Sequence, residues 1–151
     1  MPVEVPFYRL ICFADTSFLY AAVDKADKWH SRAVDLLEQA RERKWRVITT
    51  DLVVAETHAL LVRRFASPLA LEWLEWATEV LWIEYIAPGD VAAALEILRR
   101  YRDKDFTLTD AVSFVVIERL DVPVALSCDR HFVEYEGGFL TLPLEGERLP
   151  A

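Results

Sequence analysis

The chain has 151 residues, of which 54% are hydrophobic and 12% aromatic, which fits a single domain with a sizeable core. The net charge of −8 argues against broad, non-specific nucleic-acid binding, which needs a basic surface, and leaves room for a basic protein partner. No apolar stretch approaches the roughly 20 residues of a membrane helix, and residues 1–6 carry an acid and two prolines where a signal peptide is basic, so we expect a cytoplasmic protein without membrane contact.

The first half of the chain alternates strand and helix. Residues 9–14 predict a first strand, and residues 28–43 predict a helix because their apolar side chains recur at helical spacing. Residues 46–49 predict a second strand, and a helix that a Thr-Asp pair can cap follows over residues 50–65.

The second half continues the alternation without an internal repeat or a linker. Helices are predicted over residues 67–78, 88–101 and 108–120, of which the last is apolar on nearly all sides and therefore buried. Strands are predicted over residues 80–86, 124–128 and 139–142. The strand–helix order predicts an α/β fold with a parallel sheet of about five strands between helices.

Four carboxylates lie inside or at the ends of apolar runs, namely those of Asp15, Glu56, Asp110 and Asp129. A carboxylate is rarely buried without a partner, and no matching row of Lys or Arg lies nearby in the sequence. Open parallel sheets bind ligands outside the carboxyl ends of their strands, and Asp15 and Asp129 each directly follow a predicted strand. We therefore expect these acids to meet around a divalent cation.

Glu56 and Asp110 enter this hypothesis through their helices. Glu56 has apolar neighbours at helical spacing on both sides, so we expect its carboxylate on the stripe that packs on the sheet. Asp110 is expected in the first turn of the buried helix, on the strand-end side of the layer. All four acids would then share one edge of the sheet.

Each acid except Glu56 has an ordinary alternative role. Asp15 can cap a helix, Asp110 can form a capping box with Thr107, and Asp129 can belong to a turn. Asp105 is either a solvated loop charge or an acid at the edge of the site.

Polar neighbours of the acids are candidates for accessory roles. Thr16, Ser17 and Ser127 can hydrogen-bond a carboxylate or a water on the metal, and Arg130 and His131 can contact a phosphate at the rim. The three histidines lack the spacing of a zinc site, and the two cysteines, Cys12 and Cys128, are expected to be small core residues.

These motifs resemble the signature of PIN-domain ribonucleases, most of all the VapC-type toxins of toxin–antitoxin pairs. The matching segments are residues 15–21, 54–56, 105–111 and 127–132. The resemblance implies a three-layer α/β/α fold in a single PIN domain over residues 1–151, with residues 1–9 as an N-terminal extension. It also implies Mg²⁺- or Mn²⁺-dependent hydrolysis of RNA. The implied catalytic and metal-binding quartet is Asp15, Glu56, Asp110 and Asp129, with Asp105 as an additional acid.

Two classes of function follow from this resemblance. The first is a metal-dependent ribonuclease that is the toxin of a type II toxin–antitoxin pair, with water as the nucleophile. The alternative is a non-catalytic or stand-alone PIN-like binding module that is not paired with an antitoxin. Residues 68–78 form a helix that is apolar on more than one face, so a homodimer or an antitoxin can cover it. A phosphatase of the haloacid dehalogenase type is disfavoured, because it needs Asp-x-Asp where this chain has Asp15-Thr16-Ser17.

Overall fold

Five parallel strands form the centre of the computed structural model, which describes residues 10–145. The strands are β1 (Ile11–Ala14), β2 (Arg46–Thr50), β3 (Trp82–Glu84), β4 (Val124–Ser127) and β5 (Leu140–Pro143). Their order is β3-β2-β1-β4-β5, and every neighbouring pair is parallel. The order reverses direction between β1 and β4, so the switch point of the sheet lies at the pair of strands that the acids follow.

Seven helices connect these strands within the described residues. They are α1 (Thr16–Ala21), α2 (His30–Glu42), α3 (Asp51–Arg64), α4 (Ser67–Val80), α5 (Pro88–Arg100), α6 (Leu108–Arg119) and α7 (His131–Glu134). The sequence predicted α2 to α6 and missed α1 and α7. The two missed helices have six and four residues, which is too short for a helical period to show.

One predicted strand is shorter than expected. The third strand covers Trp82–Glu84 instead of residues 80–86, because α4 extends through Val80 and the chain leaves the sheet after residue 84. This strand pairs only with β2, at the edge of the sheet. The remaining strands lie within two residues of their predicted bounds.

The two central strands are buried on both faces. Residues 12–14 of β1 and residues 124–126 of β4 are fully shielded from solvent, which explains why both strands are continuous apolar runs rather than alternating ones. Helix α6 is buried on most of its circumference, as its sequence predicted. The two cysteines are unbridged, with Cys12 buried and Cys128 half-buried.

The far end of α6 is held by an ion-pair cluster. The Arg119 guanidinium contacts the buried carboxylate of Asp90 at the start of α5 and the carboxylate of Glu84 on β3. These contacts fix the C-terminal end of the helix whose N-terminal turn carries Asp110.

Two further predictions concern the N-terminal residues and membrane-spanning helices. Residues 1–9, the predicted N-terminal extension, lie outside the described residues. Among residues 10–145, no helix combines the length and hydropathy that crossing a membrane requires.

Candidate active site

Asp15 lies at the carboxyl end of β1 and caps α1. Its Oδ1 accepts a hydrogen bond from the Phe18 amide at 2.9 Å, so the ordinary capping role is real. Two hydroxyls also donate to this carboxylate, Ser17 Oγ at 2.8 Å and Ser127 Oγ at 2.5 Å. The side chain is only 4% exposed, which is unusually buried for an acid that caps a helix.

The electrostatics of this position favour a cation. Burial raises the pKa of Asp15 to about 7, and the Asp129 carboxylate raises it as well, although the Ser127, Phe18 and Ser17 donors oppose them. These donors are neutral, so they stabilise the carboxylate without balancing its charge. A divalent cation beside Asp15 would supply the missing positive charge.

Serine side chains join the ends of β1 and β4. Ser127 Oγ donates to Asp15 and accepts from the Asp129 amide at 3.0 Å, while Ser17 Oγ accepts from the Cys128 amide at 2.9 Å. The strands themselves are in parallel register, with Ala14 paired to Leu126. We call Asp15, Ser17 and Ser127 the Asp15 cluster; it confirms that the two strand ends are adjacent.

A second group forms where α6 and α7 begin, and we call Asp110, Asp129 and His131 the His131 cluster. One ligand-type atom from each of these three residues lies within 4.8 Å of the other two. His131 Nδ1 is 2.9 Å from Asp110 Oδ2 and 3.6 Å from Asp129 Oδ1. The donor set, two carboxylates and an imidazole, is compatible with a divalent transition metal or Mg²⁺.

Charge interactions within the His131 cluster are mutual. Burial raises the pKa of Asp110, whereas the Thr107 amide and the His131 ring lower it. Burial lowers the pKa of His131, but the hydrogen bond to Asp110 and the nearby carboxylates outweigh it and leave the pKa raised. Asp110 also forms the expected capping box with Thr107, so here too the structural role and the candidate functional role coexist.

The predicted burial of Glu56 is wrong. The buried stripe of α3 consists of Val53, Val54, Thr57 and Leu61, whereas Glu56 is exposed. Its apolar neighbours misled the prediction, because Ala59 is exposed and Leu60 lines a cleft instead of packing on the sheet. Glu56 lines that same cleft together with Asp129, so it still faces the site from the rim.

The cleft has a volume of about 430 Å³ and a mixed lining. Its walls are formed by Thr16, Ser17, Tyr20, Asp27, Lys28, Trp29, Glu56, Leu60, Cys128 and Asp129. Thr16 Oγ1 is shielded from solvent, and no donor or acceptor among residues 10–145 reaches it. A buried hydroxyl without a partner is unusual in a folded protein, and it lies on a residue of the cleft wall, where a bound ion or water could satisfy it.

The remaining predicted site residues are either hydrogen-bonded to a carboxylate or exposed to solvent. Ser17 and Ser127 hydrogen-bond a carboxylate as expected. Asp105 and Arg130 are both exposed, the first in the loop before α6 and the second at the N-terminus of α7. His131, expected as a phosphate contact at the rim, lies between two acids. Its spacing of two from Asp129 is the one sequence signal that points to this contact.

Comparisons with known proteins identify relatives along nearly the whole chain. The model of the family described as PIN domain matches residues 12–138. A VapC ribonuclease of Archaeoglobus fulgidus is 33% identical over 122 residues, covering 78% of this chain and 76% of that protein. The crystal structure of Mycobacterium tuberculosis VapC20, described as a Sarcin-Ricin loop cleaving toxin, superposes with a TM-score of 0.77 at 26% identity, covering 92% of this chain and 99% of that one. PAE2754 of Pyrobaculum aerophilum shares the fold, with a TM-score of 0.63 at 18% identity over 90% of this chain and 86% of that one.

Proposed function

The chain belongs to the PIN-domain family, and on that premise we propose that it is a metal-dependent endoribonuclease of the VapC toxin type. One observation carries the proposal: the switch point between β1 and β4 brings Asp15 and Asp129 to the same end of the sheet, with Asp110 beside Asp129. The similarity to a VapC ribonuclease supports RNA as the substrate.

We infer that Asp15, Asp110 and Asp129 hold Mg²⁺ or Mn²⁺. Carboxylate oxygens are the ligands that these hard cations prefer, and the uncompensated charge at Asp15 favours binding. When bound, the ion supplies Lewis-acid chemistry at the phosphate and makes water a better nucleophile at neutral pH. The proposed catalytic quartet therefore remains Asp15, Glu56, Asp110 and Asp129.

The chain's own residues would divide the remaining work. Ser17 and Ser127 orient the Asp15 carboxylate through their hydroxyls. Glu56, exposed across the cleft from the strand ends, is placed to orient water or to widen the cation site. The exposed Arg130 side chain would contact the phosphate, Thr16 would bind a water or ion at the cleft wall, and Asp105 would act as an accessory acid at the edge.

Replacing Asp110 tests the catalytic proposal directly. Asp110→Asn should abolish Mg²⁺- or Mn²⁺-dependent cleavage of RNA, because it removes a carboxylate from the cluster. The amide keeps an oxygen that can accept the Thr107 amide bond, so the helix cap survives. Asp110→Ala loses this acceptor but keeps the Thr107 hydroxyl that caps the helix, and circular dichroism of both variants separates folding from catalysis. Full residual cleavage by a folded Asp110→Asn protein would overturn the assignment.

An antitoxin is the proposed protein partner. An apolar groove of about 450 Å³ lies between α2 and α4, and Val34 and Val80 on its walls are 40% and 57% exposed. Its two charged lining residues, Glu38 and Arg41, are paired with each other, and the chain as a whole carries a net charge of −8. An apolar groove on an acidic protein suits an amphipathic, basic segment of an antitoxin.

Co-expression with the product of a neighbouring small open reading frame tests this partner. The wild-type chain should co-purify with that product, and Val80→Asp should reduce the complex while leaving RNA cleavage unchanged. A chain that remains strictly monomeric and fully soluble at high concentration, without such a complex, would count against a partner at this groove. A homodimer that Val80→Asp dissociates would replace the antitoxin with a second copy.

The alternative, a non-catalytic or stand-alone binding module, explains less of the geometry. A module that binds no cation has no use for a carboxylate held 4% exposed beside a second acid, and an amide at that position would be easier to bury. The ribonuclease proposal accounts for this position and places the protein in the cytoplasm with its RNA substrate.

A further inference from the structure

We propose that His131 is the positioning residue that presents Asp110 and Asp129 to the cation. The inference rests on the proposed metal-dependent function and assigns a role to a residue outside the acidic quartet. It concerns the geometry of the two carboxylates, which arise from different elements: Asp110 from the first turn of α6 and Asp129 from the loop after β4.

His131 contacts both carboxylates. Its Nδ1 lies 2.9 Å from Asp110 Oδ2 and 3.6 Å from Asp129 Oδ1. Its backbone amide donates to the same Asp129 Oδ1 at 2.9 Å. One residue thus holds the neighbouring acid through its main chain and the distant acid through its ring.

These contacts use only one oxygen of each carboxylate. Asp110 Oδ2 accepts from the Thr107 amide at 3.1 Å and faces the imidazole, and Asp129 Oδ1 accepts from the His131 amide. Within residues 10–145, Asp110 Oδ1 and Asp129 Oδ2 receive no hydrogen bond. His131 therefore turns the two side chains so that each keeps one oxygen available for a cation.

The ring itself is held by aromatic packing. It meets the Phe106 ring edge-on, with centroids 5.4 Å apart and planes at 74°. Phe106 is 8% exposed and packs in turn against Phe114 of α6, at a centroid distance of 5.2 Å. The position of the imidazole is thus set by the core as well as by the acids.

A positioning role follows from the repulsion between the acids. Two carboxylates within 4.8 Å disfavour each other's charge, and without the imidazole each would keep only its backbone amide contact, from Thr107 or from His131. A ring anchored against Phe106 limits the movement of both side chains before the cation arrives. Preorganisation of this kind lowers the free-energy cost of binding.

Mn²⁺ titration of full-length variants tests the inference. His131→Asn carries an amide nitrogen at about the place of Nδ1, whereas His131→Gln carries it at about the place of Nε2. We expect His131→Gln and His131→Ala to weaken Mn²⁺ binding by about 10- to 100-fold, measured by calorimetry and by the electron paramagnetic resonance of free Mn²⁺. His131→Asn should bind within about threefold of wild type. His58→Ala on α3 is the matched control and should bind as wild type does.

The rate of RNA cleavage should depend on Mn²⁺ concentration in the same way as Mn²⁺ binding does. At saturating Mn²⁺ the Gln variant should recover most of its RNA cleavage, since the acids remain, whereas at low Mn²⁺ it should be slow. Equal Mn²⁺ affinity in wild type, Asn and Gln variants would overturn the inference, and so would equal weakening by Asn and Gln. Wild type that binds Mn²⁺ but cleaves no RNA would overturn the proposed function and leave His131 as a positioning residue. Wild type that binds no Mn²⁺ would overturn both.

Discussion

The Asp15 cluster and the His131 cluster hold carboxylates at the same sheet edge by opposite means. Asp15 is buried and surrounded by neutral hydroxyl and amide donors, and its pKa is raised to about 7. Asp110 and Asp129 are more exposed and share an imidazole that can itself carry positive charge. A cation is therefore needed to balance the buried charge of the Asp15 cluster, whereas the His131 cluster arranges carboxylates around an imidazole that can balance part of their charge.

The buried Asp15 carboxylate lowers the stability of the fold when no cation is bound. Burial of Asp15 disfavours its charged form, and neutral donors only partly offset that cost. A fold without a cation to bind would be more stable with an uncharged side chain there.

Asp15→Asn should reduce RNA cleavage more than substitution of Ser127 or Glu56 does. We expect metal-dependent RNA cleavage to fall by at least about 100-fold, because the variant removes the buried carboxylate whose charge no neighbouring group balances. The protein should stay folded, since an amide oxygen can still accept from the Phe18 amide. Asp35→Asn, an exposed acid on α2, is the control and should cleave at the wild-type rate. Cleavage by Asp15→Asn within tenfold of wild type would break the contrast between the clusters.

Ser127→Ala should weaken both clusters at once. It removes the donor to Asp15 Oδ2 and leaves the Asp129 amide without its acceptor. We expect a loss of about 1–3 kcal/mol in the free energy of unfolding, measured by urea denaturation, and about tenfold slower cleavage. Ser113→Ala is the matched control, because its equally buried hydroxyl donates only within α6, to the Thr109 carbonyl. Ser127→Ala should therefore slow cleavage far more than Ser113→Ala does.

The stability of the metal-free protein should depend on pH through the Asp15 cluster. Because burial raises the pKa of Asp15 from 3.8 to about 7, the native protein holds a proton there that the unfolded chain has already released. The free energy of unfolding should therefore fall as pH rises from about 4 to about 7, on the order of 1 kcal/mol or more. His131, whose pKa is also raised, adds to the same decline.

Urea denaturation in EDTA at pH 5, 6, 7 and 8 measures this dependence. Asp15→Asn should flatten the decline and should be more stable than wild type at pH 8 without metal. Excess Mn²⁺ should stabilise wild type at pH 8 but not Asp15→Asn. A wild-type stability that rises between pH 5 and pH 7 in EDTA would contradict the account of Asp15.

Glu56→Gln should have the smallest effect of this series. The side chain is exposed, so water screens its charge and its contribution to cation binding is weak. We expect about threefold slower cleavage and unchanged stability, with Glu72→Gln on α4 as the exposed control. If Glu56→Gln lost as much RNA cleavage as Asp15→Asn does, Glu56 would reach the reaction centre despite its exposure.

The sequence was informative where the chemistry depends on topology. The acids after β1 and β4 could be predicted because parallel neighbours end at the same edge, and the apolar runs before Asp15 and Asp129 mark those strands. The burial of α6 was also predictable, because its sequence is apolar on nearly every side.

The sequence failed where side-chain direction decides the outcome. Apolar residues near Glu56 suggested a buried stripe, but a half-exposed leucine such as Leu60 lines the cleft as readily as it packs on a sheet. His131 lies in a helix of four residues, in which no periodicity exists to reveal which way the ring turns. Its role depends on contacts with Phe106 and Asp110, which are distant in sequence.

The most direct test of the central claim is cleavage of a labelled RNA by the purified full-length protein in EDTA and after addition of Mn²⁺. The account predicts no cleavage in EDTA, cleavage with Mn²⁺, and none under either condition for the double variant Asp15→Asn, Asp129→Asn. Cleavage that persists in EDTA, or that survives in the folded double variant, would contradict a cation-dependent site at the ends of β1 and β4.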